Sequence, residues 1–221
     1  MRETRLAKLG SAQLYLCTPE PFAPPGVQIV QLRRKGLEWR EEVALLRQLR
    51  ESALAACGGA VGGPALISAN DRADVAAFAP VDILHLGQDD LPASLARRVV
   101  GPEVLIGLST HDELQVAAAV ANPDIDYFCV GPVWETPTKA GRPGVGLALL
   151  ERAAAMAPPF AHGALPWFVT GGVAPDTLDE VLATGARRVV VVRALTQAAD
   201  PAGVAGELSR RLREAAGSCV T

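Results

Sequence analysis

Chemistry-bearing side chains are bunched in this chain of 221 residues, and each bunch ends or directly follows a short apolar run. Gln31, Arg33 and Lys35 close QIVQL, Asn70 and Asp71 follow ALIS, and Gln88, Asp89 and Asp90 follow DILHL. Ser109 and His111 follow VLIGL, Thr136, Thr138 and Lys139 come after YFCV, Gly171 and Gly172 after WFVT, and Arg193 after RVVVV. Arg33, Lys35 and Lys139 are cations suited to an anionic ligand; a lone basic pair is usually solvated surface, but two cations just beyond an apolar run point to function. Asp71 and Asp90 admit a plainer reading as loop acids or caps of following helices. Ser109 and His111 could pair as nucleophile and base, yet no acid is evident to orient the histidine, and a polar loop is preferred. His85 sits inside an apolar run and reads as a buried hydrogen-bonding residue, not an acid–base catalyst. Trp134 either stacks on a heterocycle or packs over its own loop. His162, in a Pro/Gly/Ala loop, has no chemical assignment. GRPGVG at 141–146 fits neither the dinucleotide fingerprint nor a P-loop, and reads as a lid or hinge after Lys139.

The elements that must position these groups follow from periodicity. Leu14–Cys17, Gln28–Leu32, Ala65–Ser68, Asp82–Leu86, Val104–Leu108, Tyr127–Val130, Trp167–Thr170 and Arg188–Val192 make eight candidate buried strands. Stretches of helical spacing, including Glu38–Ala56, Asp112–Ala121, Leu147–Ala157 and Pro175–Thr184, separate most of them. Repeated βα alternation implies an α/β fold with a parallel sheet, and eight units favour a closed (β/α)8 barrel over an open doubly wound sheet. The rim at the C-terminal ends of barrel strands carries the active site, and nearly every polar bunch above falls on that rim. No low-complexity linker, charge block or change of composition divides the chain, so a single domain over 1–221 is expected.

Composition removes other classes. The chain is 49% hydrophobic with 21 Lys+Arg against 24 Asp+Glu, which argues against disorder and coiled coil. A net charge of −3 gives no electrostatic footprint for nucleic acid, so phosphate binding must be local. No apolar stretch reaches the roughly 18 residues of a membrane span, and MRETRLAKLGSAQ has no following apolar region before a cleavage site. Cys17, Cys57, Cys129 and Cys219 have no C-x-x-C spacing, and three of them lie in apolar or Ala-rich surroundings that suit small core residues better than a metal site or disulfide framework, which implies a reducing cytoplasm.

The segments QLRRK (31–35), ND (70–71), HLGQDDLP (85–92), IGLSTH (106–111), GPVWETPTK (131–139), TGGV (170–173) and VVRAL (191–195) together resemble, in order and spacing, the thiamine phosphate synthase family. The resemblance runs from Leu14 to about Pro201. It implies a TIM-barrel transferase of thiamine biosynthesis that joins 4-amino-2-methyl-5-pyrimidinylmethyl diphosphate to thiazole phosphate, releasing thiamine phosphate and pyrophosphate. The implied mechanism is dissociative: the bond to pyrophosphate breaks first, the aminopyrimidine spreads the positive charge, and the thiazole nitrogen captures it. Fixed cations lower such a barrier because charge grows on the leaving group, and Arg33, Lys35, Lys139 and Ser109 are the groups expected to act there. By resemblance Asp71 and Asp90 hold Mg²⁺, an ion that favours one or two carboxylates plus substrate phosphate and water. Gln31, Arg33, Lys35 and Asn70 match positions that hold the pyrimidine diphosphate, and Ser109 and Lys139 positions that touch its pyrophosphate. Thr136, Pro137 and Thr138 match the loop for the thiazole phosphate, opposite the backbone N–H groups of Gly172, Val192 and Arg193. Arg142 is a candidate to close over pyrophosphate.

The sequence departs from the family's pattern at Arg34, where an acid is frequent, and at Arg193, where a small residue is frequent. The larger departure is PEPFAPPGV, about nine residues between the first two strands, where a parallel crossover normally takes a dozen or more and includes a helix. The first crossover helix is therefore expected to be shortened or absent. An N-terminal helix around Arg5–Leu9, a neighbouring helix or a partner subunit in a homo-oligomer is expected to cover the apolar gap, with Phe22 and the prolines doing so in part. Two rival functions are a thiazole tautomerase, which would not need the pyrimidine-diphosphate residues, and a non-catalytic barrel sensing a phosphorylated ligand, favoured only by the short connection.

Overall fold

The structure, a computed structural model, describes residues 1–58, 63–136 and 143–217. The strands are β1 (Leu14–Thr18), β2 (Ile29–Leu32), β3 (Leu66–Asn70), β4 (Ile83–Leu86), β5 (Leu105–Thr110), β6 (Tyr127–Val130), β7 (Trp167–Val169) and β8 (Val189–Val191). They pair in parallel in chain order, and β8 closes on β1, with Leu14 opposite Val189. The expected barrel is present, and each expected strand matches an observed one to within a residue or two at its ends. Strands buried on both faces read as nearly continuous apolar runs, which is why short windows sufficed to find them.

Alternation along each strand then sorts the side chains. Leu16, Val30, Ile67, Leu84, Ile106, Phe128 and Val191 point outward into the layer beneath the helices. Tyr15, Cys17, Ile29, Leu66, Ile83, Leu105, Tyr127, Cys129, Phe168 and Val190 fill the interior. The same parity sends Gln31, Ser68, Asn70, His85, Gly107 and Ser109 inward as well. The interior is apolar at its N-terminal end and polar towards its C-terminal end.

The covering helices are α2 (Trp39–Cys57), α3 (Ala73–Phe78), α4 (Ala93–Val100), α5 (Glu113–Val120), α6 (Ala148–Met156), α7 (Leu178–Ala183), the single turn α8 (Arg193–Thr196) and α9 (Pro201–Gly217), preceded by α1 (Arg2–Ser11). Local signals set their ends: α2 begins in a capping box between Glu38 and Glu41 and stops at Gly58 in the left-handed region, and the Asp112 side chain caps α5 through the Gln115 N–H. No helix of the described residues is long and apolar enough to cross a membrane.

Residues 19–28 contain no helix, as the short connection implied, yet β1 and β2 stay paired from Tyr15–Ile29 to Thr18–Leu32. Of the expected covers, the neighbouring helices are the ones found. The α9 side chain Ser209 donates to the Gly26 carbonyl at 3.1 Å, and the Ala23 N–H donates to Ser52 of α2 at 3.1 Å. Phe22 packs on the core beside buried Ala23 and Val27. The N-terminal helix α1 lies elsewhere: it plugs the bottom of the barrel, with Leu9 inserted into the interior cluster. Because the barrel closes without its first helix, the short connection no longer favours a non-catalytic role.

Candidate active site

A cavity of about 610 Å³ opens at the C-terminal end of the barrel. Its wall includes Gln31, Arg33, Lys35, Asn70, Asp71, Asp90, Ser109, Thr136, Gly172, Val192 and Arg193, so every described residue that the resemblance assigned to metal or substrate comes to one place. Pro137, Thr138, Lys139 and Arg142 lie outside the described residues. His111 and Gln88 join the wall. Trp134 does not line it; the indole packs on the core and lies against Gly172, where an added Cβ would sit 2.9 Å from Cε3. This placement accords with the packing reading of Trp134.

The floor is a set of buried amides and hydroxyls. Gln31 Nε2 donates to Asn70 Oδ1 at 2.9 Å, which fixes both amides at the ends of adjacent strands. Ser109 Oγ lies 2.9 Å from His85 Nε2, and His85 Nδ1 lies 2.9 Å from the Tyr127 hydroxyl. His85 is thus the buried hydrogen-bonding residue expected. Ser109 pairs with His85, while His111 Nδ1 meets the Gly131 carbonyl. Gln88 Nε2 donates to the Ser109 carbonyl at 2.6 Å and ties the strand end to the next loop.

On one side of the mouth stand the two acids. Asp71 occupies the left-handed region at φ +62°, a conformation Asp tolerates better than most residues, and its N–H donates to the His85 carbonyl at 2.8 Å. That link pins the acid to the end of β4. Burial pushes the Asp71 carboxyl above the usual carboxylate range and the neighbouring Asp90 adds to the shift, while Lys35, with Nζ 3.5 Å from Asp71 Oδ2, opposes it. Asp90 accepts the Gly87 N–H at 2.6 Å through Oδ2. Neither acid caps a helix: the residues before α3 and α4 are Arg72 and Pro92, with no side-chain cap bond.

On the opposite side the turns after β7 and β8 line the cavity at Gly171, Gly172, Val192 and Arg193. In a trans peptide the N–H points opposite to the carbonyl. The Gly171 carbonyl accepts the Trp134 N–H at 3.4 Å, so the Gly172 N–H is turned the other way; the Val192 carbonyl accepts from Leu195 and Thr196 at 3.1 and 3.0 Å, which aims the Arg193 N–H back at the mouth. Gly171 and Gly172 have φ of +94° and +81°, and a Cβ on Gly171 would lie 2.5 Å from Pro132 Cα, so side chains are excluded here by both backbone and space. Peptide N–H groups without intervening side chains can reach a phosphate directly, and the loops after the seventh and eighth strands are where barrels commonly bind one.

Three groups escaped the sequence reading: Tyr15, Tyr127 and Thr170. Tyr15 and Thr170 line the cavity, and the Tyr15 hydroxyl contacts Gln31, Ser68 and Tyr127. One signal was available. Gly107 breaks the apolar run of β5, and a Cβ there would fall 2.1 Å from the Tyr127 ring, so this glycine is the space the ring occupies.

Closed barrel, glycine-lined peptide cradle and facing carboxylates define a (β/α)8 protein for phosphorylated ligands. The chain belongs to the thiamine monophosphate synthase family, whose model matches residues 13–195. It is 50% identical over 222 residues to a thiamine-phosphate synthase of Acidothermus cellulolyticus, covering 95% of this chain and 99% of the relative. It is 48% identical over 228 residues to that of Thermobifida fusca, covering 98% and 99%. Among solved structures, the thiamine phosphate pyrophosphorylase of Pyrococcus furiosus superposes with a TM-score of 0.75 at 25% identity, over 94% of this chain and 98% of that one.

Proposed function

We propose that this chain is a transferase condensing 4-amino-2-methyl-5-pyrimidinylmethyl diphosphate with thiazole phosphate to give thiamine phosphate and pyrophosphate. The observation that carries the reading is the layout of the cavity: a buried Gln31–Asn70 amide pair on the floor, Asp71 and Asp90 beside Lys35 at one side, and the N–H edges of Gly172 and Arg193 at the other. A ligand with an aromatic amine and a diphosphate fits the first two, and a second phosphate fits the third. Its partners are these small molecules, and a single barrel domain over 1–221 acting in a reducing cytoplasm accords with the reading.

Each side chain has a task that its place supports. Gln31 and Asn70 orient the pyrimidine. Arg33, Lys35, Ser109 and, from the resemblance, Lys139 hold the diphosphate as negative charge grows on it, so the site stabilises the state after bond cleavage more than the bound substrate. Thr136, Pro137 and Thr138, with the backbone of Gly172, Val192 and Arg193, receive the thiazole phosphate and place its ring nitrogen. A departing anion and a neutral ring nitrogen need no general base, in keeping with the structural part His85 plays.

The donor set suits Mg²⁺. Burial and the neighbouring Asp90 carboxylate raise the proton affinity of Asp71, which makes the pair an oxygen site short of positive charge, and among the described residues no group of three His, Cys, Asp or Glu completes a metal cage. Asp71 and Asp90 would hold the ion only together with substrate oxygens and water, and it would neutralise the diphosphate. Incubating the purified protein with both substrates and Mg²⁺ tests the reading: thiamine phosphate and pyrophosphate are expected in equal amounts, and absence of both refutes it.

A further inference from the structure

Beneath the cavity floor a line of buried hydrogen bonds crosses the barrel interior. It runs from Gln31 Oε1 to the Tyr15 hydroxyl at 3.2 Å, on to the Tyr127 hydroxyl at 3.2 Å, to His85 Nδ1 at 2.9 Å, and through the ring from Nε2 to Ser109 Oγ at 2.9 Å. Ser68 Oγ touches the Tyr15 hydroxyl from the side at 3.2 Å. Tyr15 and Tyr127 are essentially inaccessible, and burial raises the proton affinity of both phenols, so they stay neutral donors and acceptors. The line joins the residue placed at the heterocycle to the residue placed at the diphosphate, so a role for it in catalysis rests on the function proposed above.

Neutral imidazole has one N–H and one bare nitrogen, so this line has two complete proton arrangements. In the first, Ser109 donates to His85 Nε2, His85 Nδ1–H to Tyr127, Tyr127 to Tyr15, and Tyr15 to Gln31 Oε1. The Gln31 oxygen is then satisfied from below, and Ser109 shows the cavity only lone pairs. In the second, the bond to Gln31 is given up and those from Tyr15 to Ser109 are reversed: Tyr15 takes a hydrogen bond from Ser68 and donates to Tyr127, Tyr127 donates to Nδ1, and Nε2–H donates to Ser109. Gln31 Oε1 is now open to a donor in the cavity, and the Ser109 hydroxyl proton is free to point at an anion. Both arrangements hold the same protons. Conversion moves the ring proton from Nδ1 to Nε2: each proton shifts one place along the line, Ser109 taking one at the cavity and Tyr15 passing one out by way of its contact with Gln31, which also lines the cavity.

We propose that Tyr15, Tyr127 and His85 are positioning residues that form a reversible hydrogen-bond relay coupling the two ends of the diphosphate substrate. An amine donating to Gln31 Oε1 makes the Tyr15 bond redundant and favours the second arrangement; an anion accepting from Ser109 favours the same one. Each end of the ligand thereby prepares the site for the other, and a ligand with only one end meets the unfavourable arrangement. Two groups that bias one two-state element are coupled in both directions. Gly107 keeps the element in place by leaving room for the Tyr127 ring.

The two ends can be supplied as separate molecules: the hydroxymethyl form of the aminopyrimidine, and inorganic pyrophosphate at fixed Mg²⁺. By calorimetry the wild-type protein should bind pyrophosphate about fivefold to tenfold more tightly when saturated with the pyrimidine, a typical coupling between sites. Tyr127→Phe, which keeps the ring and deletes the hydroxyl, should bring the factor to one, as should Tyr15→Phe, which cuts the line on the far side; either serves if the other folds poorly. A packing role alone would weaken both ligands without touching the factor. Nitrogen-15 NMR of the histidines, with His85 assigned through His85→Gln, should show Nδ1–H in the empty protein and Nε2–H with both fragments bound. A factor that survives in both Phe variants, or a tautomer that does not change, overturns the relay. Binding of both fragments to wild type with no coupling overturns it while leaving the proposed function standing, and failure of either fragment to bind removes the proposed function and the relay with it.

Discussion

The two ends of this barrel handle buried charge in opposite ways. At the N-terminal end Asp82 is met by Arg5 at 2.9 Å, by Arg50 at 2.7 Å and by the Ile67 N–H at 3.0 Å. Asp126 repeats the pattern two strands later, with Arg2 at 2.6 Å, Arg97 at 2.9 Å and the Ile106 N–H at 2.8 Å. In each case one arginine comes from α1 and the other from a barrel helix, so the pairs bolt the N-terminal helix across the bottom. At the C-terminal end Asp71 and Asp90 face each other, with a lysine at 3.5 Å as partial compensation. Charges that are matched hold structure; charges left mismatched await a ligand.

Withdrawing divalent metal should produce the largest effect of all. With EDTA in excess, turnover to thiamine phosphate should fall to background while the melting temperature stays within a few degrees, because the bolted end needs no ion. Full turnover in EDTA would end the assignment of Asp71 and Asp90.

Next in size is the reverse experiment. Asp126→Ala leaves Arg2 and Arg97 without their acid and the Ile106 N–H without its acceptor, and losing one partner of a buried pair costs about 3–5 kcal/mol. Denaturant titration should show that loss, and kcat per folded molecule should remain near wild type. A fall in kcat with stability intact would mean the two ends are not separable.

Gly171→Ala is an intermediate case. The added methyl meets Pro132 in a backbone conformation unfavourable to side chains, for about 1–3 kcal/mol of strain. Because that turn carries the phosphate-facing peptides, the KM for thiazole phosphate should rise several-fold and the KM for the diphosphate should change little. Equal change in both would detach the cradle from the thiazole phosphate.

Much of this contrast is legible in the sequence alone, and for a definite reason. Strands buried on both faces appear as apolar runs, and the loops after them must carry whatever polar chemistry exists, so QLRRK, ND and GQDD can be assigned to one rim directly. The bottom is not legible: Asp82 and Asp126 sit at strand starts, but their partners are 77 and 124 residues away in α1, and no local pattern announces such a pair. The interior line is equally hidden. Tyr15 and Tyr127 look like core aromatics within LYLC and YFCV, and only closure of the barrel brings their hydroxyls within 3.2 Å. The position of α1 escapes for the same reason: its helical spacing can be read, whereas the end of the barrel that it covers depends on those distant acids.

The smallest effect is the most diagnostic, because the two ends should differ in sign. Asp71→Asn leaves the backbone at +62° unstrained, since Asn adopts that region as readily as Asp, and it removes only the charge. The folded-state pKa of Asp71 is raised, so the native protein holds this proton more tightly than the unfolded chain does. The stabilising contribution is therefore fully present below the unfolded value of about 3.9 and is lost as pH rises through the folded one. At neutral pH without metal the ionised Asp71 works against folding, and Asp71→Asn should melt at a slightly higher temperature than wild type. The advantage should shrink as pH falls towards 4, where both side chains are neutral. Adding Mg²⁺ at neutral pH should stabilise wild type more than the variant and narrow or reverse the difference. Asp126→Asn should melt lower than wild type throughout the neutral range, because there the charge has two guanidinium partners to lose. If Asp71→Asn also melted lower in metal-free buffer at neutral pH, the C-terminal carboxylates would be structural like those at the bottom, and the contrast between the two ends would collapse.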